Sequence, residues 1–301
     1  MFSGLAQKNA IMELLEFYGI TANVIGMSQD TTAANVGKDR GAFGRVCKEL
    51  DLCLLRVDCR RHVIELEVKH YATAITDRNS SAPGDALFKQ YRDKFDTIRP
   101  VINYNSLVTF NWPEEGTVLH KKATNTLLLV KKLLDENKFE RGDYLELSKL
   151  VYIYLTGETM INGKEFILAK PHCVSHARFM QRGIMYITLE LLGPQADYMN
   201  YTESEQQEVE LMAEYTALYL LRPQVSPEFP ACRGLRNIRD IRELRDMARE
   251  ELNKDPDNRA MRLRQEAAQK NLDKKIVATS SSYRRSVARL RASPSTLTTY
   301  M

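Results

Sequence analysis

The sequence predicts a small α/β unit followed by a mostly α-helical body and a basic helical tail. Three observations carry this reading. Two short apolar runs, at 22–29 and 52–58, flank a helix-like run at 38–50. Apolar residues then recur at helical spacing through residues 86–222. From Arg233 onward the charge changes: 17 Lys/Arg stand against 9 Asp/Glu, whereas residues 1–232 hold 26 against 30.

Residues 5–18 place Leu5, Ile11, Leu14, Leu15 and Tyr18 at helical spacing, and Gly19 ends the run as a C-terminal glycine does. Residues 22–29 read as a buried strand that ends in Asp30. Residues 38–50 read as a helix weakened by Gly41 and Gly44. Residues 52–58 read as a second strand that runs into Cys59-Arg60-Arg61-His62. A strand, crossover helix and strand of this length predict a right-handed parallel unit. Residues 63–75 continue as helix or strand, and 77–85 read as a loop. Helices are then expected at 86–98, 118–137, 142–156, 175–192 and 203–222, the last stopped by Pro223. Residues 235–252 and 258–277 are charged and helix-prone, and 279–301 read as a frayed end. The expected domains are therefore 1–75, 86–225 and 233–301.

Composition excludes several classes. No apolar run approaches the roughly 18 residues of a spanning helix, so no membrane partner is expected. The first residues lack the basic, apolar and small-residue series of a signal peptide. Five cysteines (47, 53, 59, 173 and 232) are an odd number without framework spacing. Reduced thiols and an intracellular location follow, the nucleus included. The basic tail is either a solvated charged helix or a surface for nucleic-acid phosphates.

Asp30 lies where open α/β sheets place their chemistry, at the carboxyl end of a strand. A carboxylate there holds a divalent metal, and several such acids hold the two ions that cleave a phosphodiester. The competing reading is a turn capped by Asp30, Thr31, Thr32 and Asn35. Cys59 and His62 have zinc-ligand spacing, but a structural zinc needs four ligands, and nothing joins them to His172, Cys173 and His176. A buried thiol and a backbone-bonded histidine are commoner. Lys38, Arg40, Arg60 and Arg61 surround Asp30 in sequence and would neutralise phosphates if Asp30 faces a nucleic acid; otherwise they serve solubility.

Together, GLAQKNAIMELLEFYGITANVIGMSQDTTAANVGKDRGAF and LCLLRVDCRRHVIEL resemble the middle of a ribonuclease-H-like DNA transposase core of the hAT-related kind. That family carries its second catalytic Asp in Asp-Thr-Thr-Ala-x-Asn-x-Gly, similar here to Asp30 through Gly37. Its next strand runs into Cys-x-x-His, similar to Cys59 and His62. A helical insertion follows, similar to 86–222 with its His176-Ala-Arg-Phe-Met180. The resemblance implies a partial ribonuclease-H-like parallel sheet. It implies a first catalytic Asp on a strand before residue 1, and a last catalytic Glu that matches nothing after Arg233, Glu250, Glu251 and Glu266 included. The family's N-terminal zinc-binding DNA-recognition module finds no match either. On this reading Asp30 is a vestigial acid, the chain is a catalytically inactive remnant, and Mg2+ or Mn2+ would serve only an active form. The other expectations are DNA binding or protein interaction through the helical body and tail, and an active nuclease completed by a partner chain. Self-association through the open edge of the 22–29 strand is also expected.

Overall fold

The computed structural model describes residues 3–29, 33–36, 40–52, 54–58, 71–72, 75, 86–139, 141–171, 178–193, 195, 199, 202–225 and 230–273. The protein is mostly helical. It divides into two compact units, residues 1–66 with 273–301, and residues 67–272.

In the first unit, helix α1 (Gly4–Phe17) starts at Ser3, whose Oγ accepts from the Ala6 amide at 3.2 Å. The chain leaves α1 through Gly19, which adopts φ +64°, a backbone region that favours glycine. Strand β1 (Gly26–Gln29) follows a short turn at 21–23. The crossover holds a single helical turn α2 (Ala33–Val36) and helix α3 (Ala42–Glu49). Gly41 stands at the N-cap of α3, so the expected helix at 38–50 begins at its glycine rather than running through it.

Strand β2 (Leu55–Asp58) pairs parallel with β1, Gly26 opposite Leu55 and Gln29 opposite Asp58. A crossover helix between parallel neighbours is what such a pair requires. Gly26 permits a close approach: a Cβ there would lie 2.8 Å from the Leu55 carbonyl oxygen. The core is small. Met12, Phe43, Val46 and Leu54 are buried, with Ile11, Leu15, Val24, Met27, Cys47 and Leu50 packed around them.

The second unit is helical. Its elements are α4 (Ala86–Ile98), α5 (Val118–Glu136), α6 (Gly142–Thr156), a hairpin of β3 (Met160–Ile161) and β4 (Lys164–Glu165), α7 (Arg178–Leu192), α8 (Glu203–Tyr215), α9 (Leu221–Val225), α10 (Pro230–Lys254) and α11 (259–273). Consecutive helices α5, α6, α7 and α8 pack in series. Helix α6 is the innermost, with Leu147, Leu150, Val151 and Ile153 fully buried. Thr117 caps α5, and Thr202 with Glu205 forms a capping box on α8. The β3–β4 turn is Asn162-Gly163, both at positive φ, the usual chemistry of a two-residue hairpin.

Pro223 does not stop the helix that begins at Glu203. Residues Thr216–Leu220 form a π turn that leads into α9, and Pro223 lies inside α9. A proline ring clashes with the carbonyl four residues earlier in a regular helix. The wider π turn lies at that point and relieves the clash. The basic segment is folded in its first part: Ile241, Leu244 and Ala248 of α10 and Ala267, Ala268 and Leu272 of α11 are buried.

Candidate functional site

Two regions stand out: the motif segment of the first unit and a buried charged cluster in the second.

In the motif segment, β1 and β2 end abreast at Gln29 and Asp58. Positions 30 and 59 therefore follow from the same end of the sheet. Asp30, Thr31, Thr32, Lys38, Cys59, Arg60, Arg61 and His62 lie outside the described residues, as do His172, Cys173 and His176. Of the motif, Asn35 is half-buried in α2. Arg40 is exposed, and its carbonyl accepts from Arg45 Nε at 3.2 Å. The start of α1 rests on this loop. A Cβ on Gly4 would run into the Arg40 carbonyl oxygen and would lie 2.7 Å from that of Ala34 and 3.0 Å from the Ala42 nitrogen. Gly4 thus lets α1 reach the backbone on both sides of the motif turn. Lys8 of α1 pairs with Glu49 of α3 at 3.2 Å and ties the two helices together.

The second region was not anticipated from the sequence. Arg264 of α11 donates from Nη2 to Glu214 Oε2 of α8 at 2.7 Å, and both side chains are almost wholly buried. Burial pushes the Glu214 carboxyl up, and Arg264 opposes this. A guanidinium keeps its proton at neutral pH, so an ionised Glu214 is what neutralises it in the interior.

Tyrosines surround the pair. Tyr71 stacks on Tyr215 with ring centroids 3.6 Å apart, and Tyr215 on Tyr219 at 5.6 Å. Burial raises the phenols of Tyr71, Tyr154 and Tyr219. Lys122 sits 4.5 Å over the Tyr219 ring and bonds Asp240 at 3.1 Å and Glu243 at 2.9 Å, joining α5 to α10. Glu190 of α7 is pushed up to about 7 by burial and by the Glu210 and Glu214 carboxylates. Tyr186 donates to Glu208 at 2.7 Å, both buried.

Among the described residues no group of three or more His, Cys, Asp or Glu side chains is placed to hold a metal. The buried Glu214–Arg264 and Glu208–Tyr186 contacts each join two helices. Of the other acids named above, Glu251 bonds Lys254 at 2.7 Å, and Glu250 and Glu266 are exposed.

Arg239, Arg242 and Arg249 are exposed on α10, interleaved with exposed Asp246 and Glu250. That is a mixed-charge face. Residues 274–301 hold six Lys/Arg and no acid, so most of the positive excess after Arg233 lies there.

Comparison with known proteins finds no relative: no family model, no curated protein and no solved structure matches the chain. No helix among the described residues is long and apolar enough to cross a membrane.

Proposed function

We propose that this chain derives from a ribonuclease-H-like DNA transposase and no longer catalyses strand cleavage or transfer. One observation carries the reading. A parallel strand pair with a helical crossover ends abreast at Gln29 and Asp58, immediately before the two motif positions, Asp30 and Cys59, that the resemblance marks. Strand ends of that kind are where such sheets gather acids. The motif contributes one acid, Asp30. Of the three catalytic acids that the resemblance implies, Asp30 is the one with a match, and two-metal phosphodiester chemistry holds its ions between several such carboxylates. The finer fold, a partial ribonuclease-H-like sheet with a helical insertion, belongs to the same proposal.

The test is a Mg2+- or Mn2+-dependent cleavage assay on duplex DNA with the full chain. The expected result is no cleavage, in the wild type as in Asp30→Ala. Metal-dependent cleavage that Asp30→Ala abolishes would refute the loss of catalysis.

A second reading, DNA binding without chemistry, is favoured by the acid-free segment 274–301. If its six cations all meet phosphates, affinity falls roughly 10³-fold between 50 and 200 mM salt. A chain ending at Asp273 would lose that binding. Equal binding by both chains, or binding that ignores salt, would reject this second reading.

A further inference from the structure

We propose that the chain forms a two-fold dimer in which α1 packs antiparallel against α1 of a second copy. The proposal stands apart from transposase descent and from the strand edge, and it rests on the outer face of α1.

The inner side of α1 carries Met12 with Ile11 and Leu15. The other side carries Ala6, Ala10, Leu14 and Phe17, followed by Tyr18, and all five are exposed. Phe17 keeps 80% of its surface in solvent, Tyr18 66% and Leu14 57%. At about 100° per residue these five and Gln7 share an arc of roughly 120°. None of the six is charged. The rings of Phe17 and Tyr18 meet edge to face at 5.0 Å and form one aromatic block. A surface helix normally turns its polar side outward, and a contiguous apolar side marks an interaction surface.

The order of side-chain sizes identifies the occupant. Ala6 and Ala10 lie at the start of the stripe, and Leu14, Phe17 and Tyr18 at its end. A gradient from small to large along one helix complements itself when a second copy runs the opposite way about a two-fold axis. With that axis beside residue 12, Phe17 of each copy lies over Ala6 of the other, Leu14 over Ala10, and Tyr18 beside Gln7. Large residues then fill the space that alanines leave, and the helix backbones approach closely. The antiparallel arrangement also opposes the two helix dipoles favourably.

The buried area fits a weak dimer. At their observed exposures the three large side chains and two alanines supply roughly 450 Å² per copy, about 900 Å² in all. That lies below the roughly 1,000 Å² a stable interface clears and in the range of weak, transient contacts, so the dimer should form only at high concentration, with a dissociation constant on the order of 100 µM or weaker.

Sedimentation equilibrium of the full chain, across concentrations that bracket this value, tests the proposal. A reversible monomer–dimer equilibrium is expected. Phe17→Glu and Ala10→Trp change only exposed positions, and far-UV circular dichroism confirms that each stays folded. Each should weaken the dimer at least about tenfold. Leu128→Glu, at an exposed position of α5, should leave it unchanged. Mixing Leu14→Glu chains with Ala10→Lys chains should restore pairing that neither forms alone, because the stated geometry sets those two positions face to face. A chain that stays monomeric throughout overturns the proposal. So does a dimer indifferent to Phe17→Glu and Ala10→Trp, which would point to the β1 edge or another surface. Failure of the Leu14→Glu and Ala10→Lys mixture to associate overturns the antiparallel pairing.

Discussion

Replacing Arg264 with methionine should expose what the buried pair contributes. The substitution keeps an unbranched apolar stem and removes the guanidinium, leaving the Glu214 carboxylate in the interior without its partner. Removing one member of a buried pair costs about 3–5 kcal/mol, because an uncompensated charge remains. For a unit of this size that is a fall in melting temperature of roughly 10 °C.

The cost should depend on pH in a definite direction. Burial already raises the Glu214 carboxyl, and loss of Arg264 raises it further. A carboxyl raised in the folded state binds its proton there at a pH where the unfolded chain has released it. The stability of Arg264→Met should therefore be highest below the unfolded carboxylate range, and should fall as pH rises through the raised folded value. Urea unfolding of wild type and variant at pH 5 and pH 8 measures this, with the larger gap expected at pH 8. The double variant Glu214→Leu with Arg264→Met should lose less than either single change. If Arg264→Met matches the wild type at pH 8, or if the double variant simply sums the two losses, the pair is not coupled and the reasoning fails.

Two further outcomes follow from the geometry. Gly4→Ala places a Cβ against carbonyl oxygens of the motif loop, and backbone cannot swing aside as a side chain can. It should destabilise the first unit by about 2–3 kcal/mol, read by mass spectrometry as faster thiol labelling of half-buried Cys47; unchanged labelling would contradict the close approach. Glu190, raised to about 7, makes wild-type stability decline between about pH 5 and 7, so Glu190→Gln should flatten that slope and gain about 2 kcal/mol at pH 8. Parallel stability curves for the two proteins would count against it.

Much of the chain's local order was legible, for identifiable reasons. Helix α4 was expected at 86–98 and runs Ala86–Ile98, because aromatic and aliphatic residues recur there at a clear helical period. Helices α5 and α6 fall within a residue of expectation, the first ended by Asn137 in the left-handed region and the second by Gly157. The strands came out shorter than read, since Thr21–Asn23 forms a turn before β1 and β2 starts only at Leu55. Apolarity alone does not locate where pairing begins. The hairpin at 160–165 was missed although Asn162-Gly163 advertises it. A proline in the sequence predicts a stop at 223, whereas the chain widens one turn at Thr216–Leu220 and continues.

The larger gap concerns where the electrostatics lie, and a sequence signal for it exists. Leu211, Glu214 and Leu218 succeed one another at helical spacing on a buried stripe, so Glu214 is an acid on an apolar face. Arg264 holds the matching position on α11, in line with Ala267, Ala268, Asn271 and Leu272. A carboxylate on one apolar stripe cannot remain ionised unless another element brings it a cation or a set of donors. Two helices that each carry one opposite charge on a buried, mostly apolar stripe therefore predict each other as neighbours, however far apart they stand in the chain. That argument links residues 50 positions apart and makes the first part of the basic segment, through residue 272, a component of the folded unit. It also separates the positive charges by setting: Arg264 is buried against Glu214, Arg239, Arg242 and Arg249 are exposed beside acids, and residues 274–301 hold six that no acid in their own segment balances.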